Sequence, residues 1–103
     1  MTAPRFDELI HAPTRLAIVS LLAASEWADF AFIRDSVGLS DSALSKQLAT
    51  LEDAGYVEIR KSFVGKRPRT SAALTAAGRA AFDGHVAALQ EIVSRAGASV
   101  LPR

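Results

Sequence analysis

Cysteine is absent from the 103-residue sequence, and so are long apolar runs. Without cysteine there are no disulfide bonds, thiolate metal sites or thiol redox switches, and the composition suits a reducing cytoplasm. No apolar run approaches the about 18–20 residues of a membrane-spanning helix. Residues 1–10 contain acids and lack the apolar block of a secretory signal. We therefore expect a cytoplasmic protein with no membrane partner.

Motifs typical of enzymes are also missing, since the sequence has no glycine-rich nucleotide loop and no G-x-S-x-G nucleophile motif. The two histidines, His11 and His85, lie in different predicted helices, without acidic neighbours that would complete a metal or catalytic set. A metal site shared by these histidines across a dimer is a weaker alternative to a surface or interface role. We expect no enzymatic activity, no cofactor and no bound metal.

Acidic residues are missing from residues 60–79, although the formal net charge of the whole chain is only +1. Nine of the eleven acids lie between Asp7 and Glu58, whereas residues 60–79 contain six basic residues. Cations without counter-charges repel one another and gain from an anionic partner such as phosphate. A solvated basic loop is the alternative interpretation of this segment.

The best-defined element of the sequence is a helix between Ser40 and Gly55. Leu44, Leu48 and Leu51 follow the spacing i, i+4, i+7 and lie within about 60° of one another on one face. Ser40 is suited to the N-cap, and Gly55 to the left-handed position that follows a helix. The opposite face is small, polar and cationic, so another surface can approach it closely.

A second short helix is predicted immediately before it, over residues 29–38. Asp29 is suited to its N-cap and Gly38 to its C-terminal turn, and the apolar residues between them recur on one face. Two short helices that meet at a tight Gly-Leu-Ser turn form a helix-turn-helix. The second helix of this motif enters the major groove of DNA.

With this motif in place, the chain resembles the winged helix-turn-helix core of small bacterial transcription regulators, closest to the MarR-like and ArsR-like group. The resemblance rests on the segment GLSDSALSKQLATLEDAGYV, on the basic hairpin after it, and on the pattern L-T-x-x-G-R of residues 74–79. It covers residues 6–93. It implies an α+β, mainly α fold: a winged helix-turn-helix with a two- to three-stranded wing sheet and a long C-terminal helix.

The composition is that of one small globular domain, since half of the residues are apolar and 22% are charged. We expect this domain to span residues 1–97, terminal dimerisation helices included, and residues 98–103 to form a flexible tail. The last helix is predicted over residues 76–96 and is capped by Thr75. The resemblance implies a short first strand at residues 27–28.

The polar face of the second helix is predicted to read base edges, because Ser, Thr, Lys and Gln side chains can reach them in the major groove. The helix N-terminus and the wing are predicted to contact phosphates, and Arg67 to enter a minor groove. Asp41 fits this prediction less well. Its carboxylate either repels phosphates or accepts a hydrogen bond from a cytosine amino group. The predicted base-reading residues are Ser42, Ser45, Lys46, Gln47 and Thr50, and the predicted backbone contacts are Ser40, Lys61, Lys66, Arg67 and Arg69.

A heptad-like apolar seam in the last helix predicts a homodimer, because one small core can cover only part of it. Related regulators pair such helices with the N-terminal segment of the partner. The alternative is that the helix packs on its own domain. The predicted interface residues are Phe6, Leu9, Ile10, Phe82, Val86, Leu89 and Val93.

The sequence therefore predicts a transcriptional regulator that binds double-stranded DNA sequence-specifically, as a homodimer on an inverted repeat. Repression is the default that the resemblance implies. A small-molecule effector, which the sequence does not identify, would have to bind at the dimer interface or between the terminal helices and the wing domain. Two alternatives remain open: a winged-helix protein-interaction module without DNA readout, and an RNA-binding winged helix, against which the few exposed aromatics count.

Overall fold

The computed structural model describes residues 2–100, and side chains up to residue 96. Three strands form one antiparallel sheet in the order β1-β3-β2, and five helices surround it. This arrangement is a winged helix-turn-helix with a long C-terminal helix, as predicted. In chain order the elements are α1 (Glu8–His11), α2 (Pro13–Ala23), β1 (Ala28–Asp29), α3 (Phe30–Val37), α4 (Asp41–Asp53), β2 (Val57–Val64), β3 (Arg67–Leu74) and α5 (Ala76–Val100).

The core lies where α2, α3 and α4 meet the inner face of the sheet. Each fully buried Leu, Ile or Val contributes roughly 1.5–3 kcal/mol relative to an exposed one. The predicted leucine face of α4 is part of this core. The buried cluster consists of Ile18, Val19, Leu22, Ala28, Ile33, Leu44, Leu48, Leu51, Val57 and Ala72.

Backbone hydrogen bonds close the turn between α3 and α4. Gly38 adopts the left-handed conformation with φ 72°, which a glycine reaches without a Cβ penalty. The N–H groups of Gly38 and Leu39 both donate to the carbonyl of Arg34, at 2.9 and 3.1 Å. The Ser40 hydroxyl then accepts from the Ala43 N–H at 3.2 Å and caps α4. The predicted helix ends at this turn are confirmed.

The C-terminus of α4 is joined to the start of α5. Gly55, with φ 81°, donates to the Glu52 carbonyl, and Tyr56 donates to the Leu51 carbonyl, which together form a Schellman motif. Thr75 donates its N–H to the Tyr56 carbonyl at 3.0 Å and its hydroxyl to the Gly55 carbonyl at 2.6 Å. The two helix termini are therefore held together by the backbone N–H and the side-chain hydroxyl of Thr75.

Gly78 packs against this junction, which explains the glycine of the L-T-x-x-G-R pattern. The Thr75 hydroxyl caps α5 by accepting from the Gly78 N–H at 3.0 Å. A Cβ on Gly78 would collide with the backbone carbonyl of Tyr56. Gly84, which lies farther along α5, has room for a Cβ. The nearest neighbour of this atom would be the Arg5 Cβ at 3.4 Å.

A chain of hydrogen bonds attaches the N-terminal segment to α5. The Tyr56 hydroxyl donates to Asp7 at 2.6 Å, the Asp7 N–H donates to Nδ1 of His85 at 3.0 Å, and Nε2 of His85 lies 3.2 Å from Nδ1 of His11. Since Nδ1 of His85 accepts, its ring proton is on Nε2 and the buried imidazole is neutral. The two histidines, which are 74 residues apart in the sequence, are thus neighbours within one chain.

Three sequence expectations need correction. Helix α5 continues to Val100, past the predicted end, so residues 98–100 are helical, while 101–103 lie outside the described residues. The first strand is Ala28–Asp29. Ile10 is completely buried within the chain, because α1 packs it against α2 and α5, so it cannot contribute to the predicted dimer interface.

We expect Gly78→Ala to lower the free energy of unfolding by about 1–3 kcal/mol, because the new methyl group must displace backbone. Gly84→Ala is the matched control, and its effect should range from neutral to about 1 kcal/mol stabilising through helix propensity. Urea unfolding followed by circular dichroism measures both. Equal effects of the two substitutions would contradict the close approach at Gly78.

Stability should fall when the solution is acidified through the range in which histidines titrate. Burial lowers the pKa of His85 below its usual 6.5; the neighbouring His11 adds to this effect and Asp7 opposes it. The unfolded chain therefore binds a proton that the folded chain resists, and the unfolding free energy decreases as the pH drops below about 6.5. In the His85→Gln variant, which keeps an acceptor but does not titrate, the slope of Tm against pH should become smaller. An unchanged slope would contradict the assignment of this pH dependence to His85.

Candidate nucleic-acid interface

The outer face of α4 is exposed and carries no bulky side chain. Ser42, Ser45 and Lys46 are all exposed, and so is Ala49 one turn further along the same side. The Ser42 hydroxyl lies 3.4 Å from that of the capping Ser40. With the leucines buried behind it, this face offers small hydroxyls and one ammonium group to an approaching surface.

Two predicted base-reading residues have their polar side-chain groups engaged within the chain. The Gln47 side-chain carbonyl accepts from Arg15 at 3.1 Å, and Arg15 in turn donates to the Leu9 carbonyl at 2.6 Å. The Thr50 hydroxyl donates to the Lys46 carbonyl of its own helix at 3.1 Å. Of the five predicted residues, the structure thus brings three together on the open face.

An ion pair that the sequence analysis missed spans the helix-turn-helix. Nη1 of Arg34, in the last turn of α3, lies 2.8 Å from a carboxylate oxygen of Asp41, the first residue of α4, and Nε lies 2.9 Å from Asp35. These hydrogen bonds raise the pKa of Arg34, and they lower the pKa of Asp35 below its usual range. The sequence does contain a signal for this ion pair: a basic residue lies one turn before the tight glycine turn, and an acid lies just after it.

The register of the hairpin sorts the wing residues onto two faces. Lys61 pairs with Thr70 and Phe63 with Pro68, on the same face as the partly buried Ile59 and its buried partner Ala72. That face looks toward α4. The pairs on the opposite face are Arg60 with Ser71, Ser62 with Arg69, and Val64 with Arg67.

Two arginines of the wing have intramolecular partners. Nε of Arg69 lies 3.4 Å from the carboxylate of Asp29, which also accepts from the Ser71 hydroxyl at 3.3 Å. Asp29 therefore occupies the N-cap position of α3 without making the capping side-chain bond. The guanidinium of Arg60, absent from the predicted contacts, lies 3.9 Å from the ring centroid of Trp27.

The turn of the hairpin leaves its cations exposed. Gly65, with φ 64°, and Lys66 connect the strands, the pattern of a type II′ turn. Lys66 and Arg67 are both exposed there. Phe63, just before the turn, is 72% exposed, so the wing also presents apolar surface.

A cleft separates α4 from the wing. Its volume is about 410 Å³, and it is open to solvent. Ser45 and Ala49 border it from α4, while Lys61 and Thr70 border it from the hairpin. One edge of the open face of α4 and the inner face of the wing therefore border the same space.

The predicted dimer residues divide along α5. Phe82 and Leu9 pack against the core of their own domain. Farther along the helix, the predicted Val93 is 67% exposed beside Ile92 at 53%, and the predicted Phe6, in the N-terminal segment, is 42% exposed. Within the described residues, no three His, Asp or Glu side chains are grouped as metal ligands, and no helix is long and apolar enough to cross a membrane.

A helix-turn-helix beside a two-stranded wing defines the class of winged helix domains, and comparisons with known proteins agree. The family model described as a winged helix DNA-binding domain matches residues 14–93. The chain belongs to this family. The uncharacterized protein MJ0432 of Methanocaldococcus jannaschii is 30% identical over 79 residues, which are 77% of this chain and 86% of that protein.

Solved structures show the same fold. A transcriptional regulator homologue from Pyrococcus horikoshii OT3 superposes with a TM-score of 0.81 at 24% identity, covering 87% of this chain and 89% of its own. A MarR family regulator from Silicibacter pomeroyi gives 0.65 at 22% identity, with coverage of 91% and 62%. The M. tuberculosis regulator MOSR in complex with DNA gives 0.67 at 20% identity, with coverage of 87% and 64%. The predicted winged helix-turn-helix fold, which these regulators share, is thereby confirmed.

Proposed function

We propose that the protein is a transcriptional regulator that reads double-stranded DNA sequence-specifically and acts as a homodimeric repressor on an inverted repeat. The observation that carries the proposal is the shared cleft, which Ser45, at the edge of the small polar face of α4, and Lys61 of the wing both border. A B-DNA major groove admits one α-helix, and a flanking hairpin can then contact the adjoining backbone. The crystal structure of the similarly folded MOSR with DNA supports this use of the fold.

Base edges and phosphates would be contacted by different groups. Ser42, Ser45 and Lys46 read bases from the exposed face of α4, which serves as the recognition helix. Lys61, Lys66 and Arg67 and the helix N-terminus at Ser40 contact phosphates or, for Arg67, the minor groove. Arg69 contacts DNA only if its ion pair with Asp29 opens. Gln47 and Thr50 likewise contact DNA only if their intramolecular hydrogen bonds open.

Dimerisation would use the distal part of α5. The helix has 25 residues, which corresponds to about 37 Å, and the longest dimension of the molecule is 59 Å. Ile92 and Val93 lie on the stretch of helix that its own domain does not cover, and Val86, Leu89 and Phe6 extend this apolar surface toward the core. Two recognition helices related by a two-fold axis fit half-sites about 34 Å apart, which would occlude a promoter.

An effector would fit best between the N-terminal segment and α5. A cleft of about 570 Å³ lies there, bordered by Arg5, Glu8 and Tyr56. Its base is formed by the small residues Ala77, Ala80, Ala81 and Gly84 of α5. A ligand in this cleft would contact both the junction at Tyr56 and the helix assigned to dimerisation.

The proposed readout is tested by selecting bound sequences from a random duplex library and titrating salt on the selected site. Lys46→Ala should relax or abolish the sequence preference, because it removes a base contact. Lys66→Ala should weaken binding to all sequences alike and reduce the slope of log K against log salt by about 1. Arg95→Ala removes an equal charge far along α5 and should change neither property. Parent-like behaviour of the first two variants would contradict the assignment.

Dimerisation is tested by sedimentation equilibrium. Val93→Glu should shift the protein toward monomer, because burying an unpaired carboxylate in an apolar interface costs several kcal/mol. Ser94→Glu introduces the same charge next to it on the helix and should have a smaller effect. A parent protein that stays monomeric at all concentrations would refute the dimer.

Protein binding without DNA readout is the second candidate, and the exposed aromatic surface favours it. Phe63 at the wing and Phe32 on α3 are 72% and 54% exposed. In that case Lys66→Ala and Arg67→Ala would leave function intact, while substitution of Phe63 would abolish it. The duplex selection separates the two candidates, since a protein-binding module enriches no sequence.

A further inference from the structure

Asp41 has an unusual position for an acid in a DNA-binding surface. It is the first residue of α4, its side chain is 73% exposed, and it borders the cleft together with Ser45 and Ala49. These three residues follow one another at i, i+4 and i+8 on the side of the helix that faces the wing. A carboxylate here lies among the groups assigned to base reading, not on a remote surface.

Arg34 holds one oxygen of this carboxylate and leaves the other available. Oδ1 of Asp41 accepts from Nη1 of Arg34 at 2.8 Å, whereas Oδ2 has no hydrogen-bond partner among the described residues. Arg34 is itself fixed, because its Nε donates to Asp35 and its carbonyl accepts both N–H groups of the turn. The ion pair therefore orients Asp41 from across the turn.

The same ion pair decreases the electrostatic cost of an acid beside DNA. An isolated carboxylate at this position would repel phosphates, which lowers affinity for every sequence. The guanidinium at 2.8 Å, the positive end of the α4 dipole and Lys61 across the cleft all offset that charge. Asp35 adds a negative charge to the cluster, but it does not border the cleft between α4 and the wing.

A carboxylate oxygen can only accept hydrogen bonds, and this restricts which base it selects. In the major groove guanine presents two acceptors, and thymine an acceptor and a methyl group, so both are unfavourable. Adenine has the N6 amino donor but places the N7 acceptor beside it. Cytosine presents its N4 amino group without an adjacent acceptor, and it is therefore the base that fits.

We propose that Asp41 determines specificity by accepting a hydrogen bond from the N4 amino group of a cytosine in the major groove, and that Arg34 is a positioning residue that orients the carboxylate. This inference rests on the proposed function, because it assigns one base contact within the same DNA-binding surface. We therefore expect the selected DNA site to contain a cytosine at one position of each half-site.

The test compares the sequences that the parent and its variants select from a random duplex library. Asp41→Ala should lose about tenfold in discrimination for cytosine at one position of each half-site. Asp41→Asn should shift the preference at that position from cytosine toward adenine, because a side-chain amide pairs with both N6 and N7 of adenine. Affinity for unrelated DNA should rise in both variants, since each removes a negative charge.

Asp35→Asn is the matched control, because Asp35 pairs with the same arginine at 2.9 Å without bordering the cleft. It should raise affinity for unrelated DNA in the same way but leave the cytosine preference intact. Arg34→Met should weaken binding to all sequences and reduce the cytosine preference. In the double variant Arg34→Met/Asp41→Asn, general affinity should recover while the cytosine preference stays lost.

The outcomes distinguish this inference from the function on which it rests. If the parent selects a site and Asp41→Ala and Asp41→Asn select the same one, Asp41 is a structural surface residue and the inference is refuted. If the parent enriches no sequence, the proposed function fails and the inference fails with it. Thermal unfolding of each variant establishes that the folded protein is being compared.

Discussion

The burial of one leucine face determines which side of α4 is offered to a partner. Leu44, Leu48 and Leu51 pack into the core against α2 and β2. Because a helix is rigid about its own axis, burying these side chains leaves Ser42 and Lys46 in solvent. Any change that loosens the leucine packing must therefore also move the outer face. The same packing thus determines both the stability of the core and the position of the exposed side chains.

The two ends of α4 are fixed by hydrogen bonds that also belong to its neighbours. At the N-terminus the carbonyl of Arg34 closes the turn while its guanidinium holds Asp41. At the C-terminus the carbonyls of Gly55 and Tyr56 receive the N-cap residue of α5. The orientation of α4 is therefore tied to the long helix that we assign to dimerisation, so a change at one can be transmitted to the other.

Acidic residues close to the candidate interface are each paired with an arginine. Asp41 is bound by Arg34, and Asp29 is bound by Arg69. These pairs reduce repulsion of an anionic partner, but they also occupy arginines that a count of charges would treat as free. The unengaged cations of the wing are consequently fewer than the basic segment suggests: among the described residues they are Lys61 beside the cleft and Lys66 and Arg67 at the turn.

Local signals in the sequence determined most of the helix ends and the hairpin. A capping hydroxyl such as Ser40 or a left-handed glycine such as Gly55 acts on backbone groups within one turn, so the adjoining residues suffice to predict it. The tertiary structure decided the rest, because pairs such as Gln47 with Arg15 and His85 with His11 join residues distant in the chain. Periodicity marks a residue as polar or apolar, but only the packing of helices decides which partner it meets.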